Sequence, residues 1–345
     1  MERVKHIAKL LQMTRWKWQA RDMYAINAQL PGGPDVLEWI EVPTPVPGPG
    51  EVLVKTVAAG VNRADLLQRR GYYPPPPGVS EIIGLEASGI VEAVGDGVTR
   101  WQPGDEVVAL LAGGAYAEFF IAPEGQLVTK PLDVDLVSAA GILEVAATVV
   151  SNMDLVHLTA GETFLVHGGA GGIGTFAIQY GKALGCRVAT TAGSAEKLAF
   201  TKSIGADINL DYHDDWVTEL KIATNDHGAD VILDIIGAGY LQSNVDALAY
   251  DGRLVIIGMQ KGTKGELNIA KLLNKRALVT ATSLRFRSSE QKAEICRRVE
   301  EVVWPMLLSG QIQLAPETRY SVREANLAHE HLESGDAMGK IILTF

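Results

Sequence analysis

A single glycine-rich segment constrains this chain most. The apolar run Thr163-Phe164-Leu165-Val166 leads into His167-Gly168-Gly169-Ala170-Gly171-Gly172-Ile173-Gly174, and a stretch compatible with a helix follows. Gly169, Gly171 and Gly174 fit the spacing G-x-G-x-x-G, which provides a tight turn, close approach of backbone to a pyrophosphate, and close packing of helix on strand. The positive end of the helix would hold the phosphates. The segment therefore predicts dinucleotide binding, with a flexible glycine loop as the alternative.

Length and charge narrow the class of protein. The 345 residues exceed what one hydrophobic core usually organises, so two domains are expected. The net charge of -10 argues against general attraction to nucleic acid. No uninterrupted apolar segment of roughly 18 to 20 residues suggests a membrane span. Cys186 and Cys296 are too few for a disulfide framework, and this usage favours a reducing cytoplasm.

Residues 1–22 differ from the rest of the chain. They are basic, with apolar Val4, Ile7, Leu11 and Trp18 among them, and could form one amphipathic helix. A targeting peptide or surface anchor is one interpretation, although the segment has little Ser and no apolar signal region. We favour an additional N-terminal arm, or an upstream start ahead of Met23.

The pattern of the sequence changes near Gly161. Before it, short alternating runs separated by Gly and Pro predict a small, mostly β domain. After it, six apolar strands alternate with helical stretches, which predicts an α/β fold with a doubly wound parallel sheet. The predicted strands span residues 163–167, 187–191, 208–211, 230–236, 253–258 and 277–283. A long helix (290–308), a short helix (323–332) and a closing strand (340–345) follow, and this strand is expected to return to the first domain.

The tip of the second of these strands indicates which dinucleotide binds. NAD-binding proteins place a carboxylate about 20 residues past the glycine turn, whereas this chain has Thr190-Thr191-Ala192-Gly193-Ser194 there. Since no carboxylate would repel a 2'-phosphate, Ser194 and Lys197 can contact that phosphate and Tyr212 the adenosine, which favours NADPH over NADH. The alternatives are that Ser194 only caps the next helix, that Lys197 is solvated, and that Glu196 grips the ribose.

Three further segments carry a family resemblance. They are Asn62-Arg63-Ala64-Asp65-Leu66, Gly84-Leu85-Glu86-Ala87-Ser88-Gly89 and Gly339-Lys340-Ile341-Ile342-Leu343. Together with the β-rich leader and the glycine turn, they resemble the medium-chain dehydrogenase/reductase superfamily. Within it the chain is most similar to the zinc-free NADPH:quinone oxidoreductases of the p53-inducible type, from Met23 to Phe345.

The resemblance implies a domain organisation. A GroES-like catalytic domain would occupy residues 23–144, after the arm at 1–22. A Rossmann NADPH-binding domain would occupy residues 145–284, and the segment 285–345 would return to the catalytic domain. The resemblance also places the reaction in a cleft between the two domains.

The residues at the zinc positions of the superfamily argue against a metal. Zinc-dependent relatives carry a Cys after the second strand and a His beside the glutamate of a G-H-E motif, where this chain has Asn62 and Leu85. A structural zinc lobe would need four closely spaced Cys, and neither Cys186 nor Cys296 is near that region. We therefore expect no metal.

The resemblance implies candidate catalytic residues. Asn62 would hydrogen-bond a carbonyl oxygen or the nicotinamide ribose, and Tyr73 would donate to a developing oxyanion or stack on the acceptor. Thr148 matches the family threonine that contacts the nicotinamide carboxamide. The alternatives are a turn-stabilising role for Asn62, a loop anchor at Tyr73 and a core position for Thr148.

Further cofactor contacts are implied at strand ends. Gly258-Met259 and Ser283-Leu284-Arg285 would pass near the nicotinamide, as expected for the carboxyl ends of parallel strands, with Met259 as core filler the alternative. Lys340 is expected at the cofactor as well. With the residues of the glycine turn, Ser194, Lys197 and Tyr212, these complete the expected NADPH site.

Three functions fit these observations. The favoured one is metal-free hydride transfer from NADPH to a quinone, because the charge left on a quinone is delocalised and needs little stabilisation. Reduction of an activated alkene such as an enone or enoyl thioester is the second. The third is an NADPH-binding sensor or RNA-binding protein, which the few basic clusters disfavour.

Association and location are also expected from the resemblance and the composition. Relatives pair Rossmann sheets through the sixth strand, here Leu278-Val279-Thr280-Ala281-Thr282, and an apolar edge of this kind favours pairing. A homodimer or tetramer is therefore expected, in the cytoplasm, with a quinone or other electrophilic acceptor as the small-molecule partner and no membrane.

Overall fold

The N-terminal lobe is built mainly of strands. The computed structural model describes residues 22–345, so the arm predicted over residues 1–22 lies outside the described part except for Asp22. The lobe contains β1 (Asp22–Ala28), β2 (Leu37–Pro43), β3 (Glu51–Val61), α1 (Arg63–Arg69), β4 (Glu86–Val94), β5 (Glu106–Leu110), β6 (Phe119–Pro123), β7 (Leu127–Thr129) and α2 (Leu136–Ala139).

The second lobe alternates strands and helices. It contains α3 (Leu143–Leu155), β8 (Thr163–His167), α4 (Gly172–Ala183), β9 (Arg187–Ala192), α5 (Ala195–Ser203), β10 (Ile208–Asp211), α6 (Trp216–Ala223), β11 (Ala229–Asp234), α7 (Leu241–Ala247), β12 (Leu248–Ile256), α8 (Ile269–Lys275) and β13 (Leu278–Ala281). The chain closes with α9 (Ser289–Leu308), β14 (Glu317–Ser321), α10 (Ala325–Ser334) and β15 (Lys340–Thr344).

The second lobe is a doubly wound Rossmann sheet. Its six strands pair in parallel in the order β10-β9-β8-β11-β12-β13, with the topological switch between β8 and β11. The predicted fold class is confirmed.

β12 begins at Leu248, earlier than predicted, because its pairing with β11 shifts register before Arg253. Asp251, at φ 58°, lies in this irregular stretch, where the sequence Asp-Gly resembles a turn.

The last strand of the chain completes the first lobe. β15 lies between β14 and β3 in the sheet order β14-β15-β3-β4-β5-β7, with Ile342 opposite Gly60 of β3. β6 also pairs with β3. Immediately before β15, the Gly339 N–H donates to the Ala170 carbonyl at 2.8 Å. The chain end is therefore bonded to both lobes at the glycine turn.

The segment from Leu136 to Leu155 connects the lobes. By length and composition it could cross a membrane, which the sequence had not suggested, yet it comprises α2 and α3 and 72% of it is buried inside the structure. Val149 and Met153 of α3 belong to one core cluster that includes Val108 of the first lobe and Phe164 of the second. This segment is long and apolar because it is buried on several sides.

Candidate active site

The glycine turn leaves open space where a dinucleotide would lie. A Cβ on Gly169 would stand 2.1 Å from Thr190 Oγ1, and one on Gly174 would stand 2.3 Å from the Gly168 carbonyl oxygen. Both positions therefore require glycine for packing. A Cβ on Gly171 would meet nothing closer than 3.6 Å, so this residue faces open space at the start of α4.

The backbone around this space suits a pyrophosphate. Gly172, Ile173 and Gly174 form the first turn of α4, whose N–H groups have no intrahelical acceptors. The Ala170 carbonyl already accepts a hydrogen bond from the Gly339 N–H, so a phosphate would not meet it as an unpaired oxygen. The N-terminal charge of the helix dipole adds to these donors. The residues present thus fit the phosphates of a dinucleotide.

The residues predicted to contact the adenosine lie at and just beyond the tips of β9 and β10. Ser194 caps α5, since its Oγ accepts from Lys197 N at 3.3 Å, and the ammonium of Lys197 donates to the Gly335 carbonyl. The Tyr212 ring lies against Gly193, where a Cβ would be 2.2 Å from the phenol oxygen. The capping alternative is thus observed for Ser194, and it leaves the second lone pair of the hydroxyl oxygen for another donor.

A second cation stands at this end. The ammonium of Lys261 lies 5.8 Å from the centre of the Tyr212 ring and 5.3 Å from that of Tyr240. These distances are within reach of cation–π attraction. Sequence reasoning missed Lys261, because its loop after β12 gives no local sign that it lies beside Tyr212.

A buried carboxylate, Glu86 of β4, accepts several hydrogen bonds in the first lobe. Its Oε1 accepts from Lys340 Nζ at 2.6 Å and from Asn62 Nδ2 at 3.0 Å, and its Oε2 accepts from the Glu144 N–H at 3.0 Å. Lys340 Nζ also donates to Asn62 Oδ1 at 2.9 Å. Strands β4 and β15 and helix α3 therefore meet at the Glu86–Lys340 ion pair.

This cluster shows which groups the charge of Lys340 contacts within the protein. The ammonium is buried against Glu86 and Asn62, and only the aliphatic stem reaches the glycine turn. A Cβ on Gly172 would come within 2.7 Å of Lys340 Cδ. The stem of Lys340 therefore packs against the glycine turn, while its ammonium bonds to Glu86 and Asn62 of the first lobe.

Asn62 is held from its backbone as well as its side chain. It directly precedes α1, and its N–H donates to Asp65 Oδ2 at 2.8 Å. The Tyr116 hydroxyl donates to the same oxygen at 3.1 Å. Burial raises the pKa of the Asp65 carboxyl to about 7. Asp65 thus fixes the start of α1, and Asn62 with it.

Glu144 and Thr148 lie one turn apart on α3. Burial, followed by the nearby Glu86 carboxylate, raises the pKa of Glu144 to about 7. The Thr148 hydroxyl donates to Glu144 Oε1 at 3.4 Å, and the Thr148 carbonyl accepts from Asn152 Nδ2 at 2.7 Å. Glu144 was not among the predicted site residues. It lies four positions before the predicted Thr148, and its burial beside Glu86 is visible only in the folded chain.

Tyr73 and Ser283 bring the two lobes together. Their hydroxyl oxygens are 2.7 Å apart, so the loop after α1 contacts the end of β13. Arg285 is 3% exposed and donates to the carbonyls of Tyr73 at 2.8 Å and Ala112 at 2.7 Å, and to Gln68 Oε1 at 2.7 Å. Its guanidinium is therefore engaged by protein acceptors, and it positions Tyr73.

The remaining predicted residues border the ends of β12 and β13. A Cβ on Gly258 would meet the Ile235 carbonyl oxygen at 2.5 Å, and the neighbouring Met259 is exposed. Leu284 packs on the core beside Arg285. Met259 is therefore not core filler in this structure.

The two positions that carry zinc ligands in zinc-dependent members of the superfamily carry other residues here. Asn62 is bonded to an ammonium and a carboxylate, and Leu85 is buried. Within residues 22–345, no group of three or more His, Cys, Asp or Glu is arranged to hold a metal ion.

Two family descriptions match separate parts of the chain. The alcohol dehydrogenase GroES-like domain matches residues 48–132, and the zinc-binding dehydrogenase domain matches residues 172–300. These ranges fall in the first and second lobes.

Individual relatives match nearly the whole chain. A quinone oxidoreductase of Pseudomonas aeruginosa is 33% identical over 90% of this chain and 96% of its own. A 2-haloacrylate reductase of a Burkholderia species is 30% identical over the same shares. Among solved structures, a mycobacterial protein complexed with NADPH is 35% identical with a TM-score of 0.86, covering 94% of this chain and 100% of its own. The Escherichia coli quinone oxidoreductase complexed with NADPH is 30% identical with a TM-score of 0.83 at the same coverages.

The Glu86–Lys340 pair yields a stability prediction. Lys340→Met should lower the free energy of unfolding by about 3–5 kcal/mol, because it leaves the Glu86 carboxylate buried without its cation. Urea unfolding followed by fluorescence measures this. Adding Glu86→Gln to Lys340→Met should recover part of the loss, and Lys264→Met, an exposed lysine, should change little. Equal stability of Lys340→Met and wild type would contradict the interpretation.

Proposed function

This chain belongs to the quinone oxidoreductases of the medium-chain dehydrogenase/reductase superfamily, and we propose that it transfers a hydride from NADPH to a quinone without a metal ion. The observation that carries the proposal is the Asn62–Lys340–Glu86 cluster beside the glycine turn. It stands where zinc-dependent relatives hold a Lewis acid, and its groups bond to the protein: the Lys340 ammonium donates to Val61, Asn62 and Glu86, and the Asn62 amide donates to Gly60 and Glu86. Such a site suits an acceptor that is already electrophilic.

The chain's residues would hold the cofactor along the cleft. We propose that the first turn of α4 binds the pyrophosphate, that Ser194 and Tyr212 contact the adenosine 2'-phosphate end, and that Thr148 and the turns at Gly258 and Ser283 contact the nicotinamide. When bound, NADPH supplies the hydride. Lys197, whose ammonium bonds to the Gly335 carbonyl, can reach the phosphate by exchanging that bond.

Tyr73 is proposed to act at the acceptor. Addition of a hydride turns a quinone into a hydroquinone monoanion, which then takes one proton to become the hydroquinone. Arg285 holds the Tyr73 carbonyl and lies 5.1 Å from the ring centre, so the phenol is fixed at the cleft. Its hydroxyl can donate to the developing oxyanion, and Ser283 can in turn donate to Tyr73.

An activated alkene is the second candidate acceptor. The relative named 2-haloacrylate reductase favours it. Reduction of an alkene adds the hydride to one carbon and a proton to its neighbour, so it needs a proton donor near the α-carbon. Glu144 is a candidate, because its raised pKa keeps a proton on part of the molecules near neutral pH.

The acceptor can be tested directly. We expect NADPH oxidation with 1,2-naphthoquinone, and loss of about tenfold or more in kcat on Tyr73→Phe, because one oxyanion donor is removed. Tyr72→Phe is the matched control, since this neighbouring ring is 74% exposed. Steady-state rates with the quinone and with 2-alkenals compare the candidates. Brisk turnover of alkenals with none of quinones would overturn the proposed acceptor.

Cofactor choice provides a separate test. Ser194→Asp keeps a helix-capping side chain but places a carboxylate at the strand tip, so the KM for NADPH should rise at least ~10-fold while that for NADH does not. Ser203→Asp, which adds the same charge at the other end of α5, is the control. An unchanged ratio of kcat/KM for the two cofactors in Ser194→Asp would count against a 2'-phosphate at Ser194.

We also propose a homodimer through β13. This strand is the outer strand of the parallel sheet, with no further partner among residues 22–345, and Leu278 is exposed on it. Pairing of two such edges would satisfy their backbone groups. Sedimentation at micromolar concentration should give a dimer. Ala281→Pro should give monomer because it removes an N–H on the free edge, whereas the Thr282 N–H on the opposite side bonds to β12. A wild-type protein that sediments as a monomer at these concentrations would exclude the homodimer.

A cytoplasmic location is the remaining proposal. Cys186 and Cys296 are both free and buried, and burial raises their thiol pKa values to about 11 and about 12. Neither thiol is therefore set up to form a disulfide.

A further inference from the structure

A second cavity lies away from the cleft residues described above. It has a volume of 540 Å³ and lies between the β1–β2 hairpin, the loops around β5 and β6, and the first turn of α9. Polar and apolar groups share its wall about equally, with Leu111, Phe120 and Ile121 among the apolar residues. Asn62, Tyr73, Thr148 and Ser283 do not line it. Cavities of this size hold small organic molecules.

One buried cation faces this cavity. Lys292 of α9 lines it and is only 6% exposed. Among residues 22–345, its ammonium has no hydrogen-bond acceptor and no carboxylate partner, and burial lowers its pKa. The acid on the wall, Glu51, accepts instead from the Gly48 N–H at 2.8 Å. A buried charge without a partner is costly unless a ligand or water supplies one.

The start of α9 adds positive charge at the same place. Ser289, the first residue of this 20-residue helix, lines the cavity beside Lys292. Ser288 and Gln291 satisfy each other in a capping box, so they do not neutralise the helix dipole. Glu290 in the same turn is exposed, and its carboxylate bonds to Ser288 and to its own N–H, so it offsets part of this positive end. The Lys292 ammonium therefore provides the main attraction for an anion at this end of the cavity, and the helix terminus adds a smaller one.

We propose that this cavity binds a small carboxylic acid with an apolar body, its carboxylate on Lys292 and the start of α9 and its body along Leu111 and Phe120. A carboxylate is the anion that suits one ammonium beside a helix terminus, and the apolar residues of the wall remove the rest of the molecule from water. The ligand is a monocarboxylate of the size of a medium-chain fatty acid.

The cavity is connected to the proposed quinone site. Ala112 lines the cavity, and its carbonyl accepts from Arg285, which also holds the Tyr73 carbonyl. A ligand that shifts Ala112 would therefore change the position of Tyr73. This coupling rests on the proposed function, and it predicts that the acid alters KM for the acceptor more than KM for NADPH.

Titration calorimetry of the full chain with octanoate tests the site without turnover. We expect saturable binding with a Kd at or below about 1 mM, weakened at least ~10-fold in Lys292→Met and retained in Lys292→Arg. Octan-1-ol, which lacks the charge, should bind to wild type as weakly as octanoate binds to Lys292→Met. Arg297→Met, on the exposed side of α9, is the control.

The outcomes separate this inference from the proposed function. Octanoate binding that is equal in wild type and Lys292→Met, or no saturation up to about 10 mM, would overturn it. Thermal unfolding of each variant shows that it is folded. Absence of quinone turnover with intact octanoate binding would count against the proposed function and leave the carboxylate site standing.

Discussion

The buried ion pair between Glu86 and Lys340 is the interaction on which the site depends. It connects β4 to β15, and through the Glu144 N–H and the Asn62 amide it also fixes α3 and the residue before α1. A charge pair removed from water is stabilising only with good geometry and further hydrogen bonds. Every oxygen of Glu86 has such a partner, so the pair fixes the floor of the cleft in one arrangement.

The relation of the two lobes follows from a few contacts near this pair. β15 crosses back into the first lobe directly after Gly339 bonds to Ala170 of the glycine turn. Arg285 bonds the end of β13 to the loops that carry Tyr73 and Ala112. These contacts fix the glycine turn relative to the loops that carry Tyr73 and Ala112. Hydride transfer requires this, because its rate depends on the distance between donor and acceptor.

The fold was predictable because its signals are local. The glycine spacing, the alternation of strands with helices and the β-rich leader each act over short stretches, and the six strands of the parallel sheet were located to within a few residues except where β12 passes through its irregular start. The site was less predictable. Contact of Lys340 and Arg285 with the cofactor stays a prediction, and no local pattern indicated that both charged groups bond to protein acceptors far away in the sequence.

By itself, the sequence determined the dinucleotide turn, the absence of a carboxylate at the strand tip, and the Asn and Leu at the zinc positions. These are properties of residue type and spacing, which no packing can alter. Only the tertiary structure decided that Glu86, Lys340 and Asn62 meet, and that Glu144 and Asp65 have raised pKa values. The position of Lys292 on the wall of the second cavity likewise follows only from the tertiary structure. Such facts depend on contacts between residues up to more than 200 positions apart, so burial and charge partners emerge only when the chain is folded.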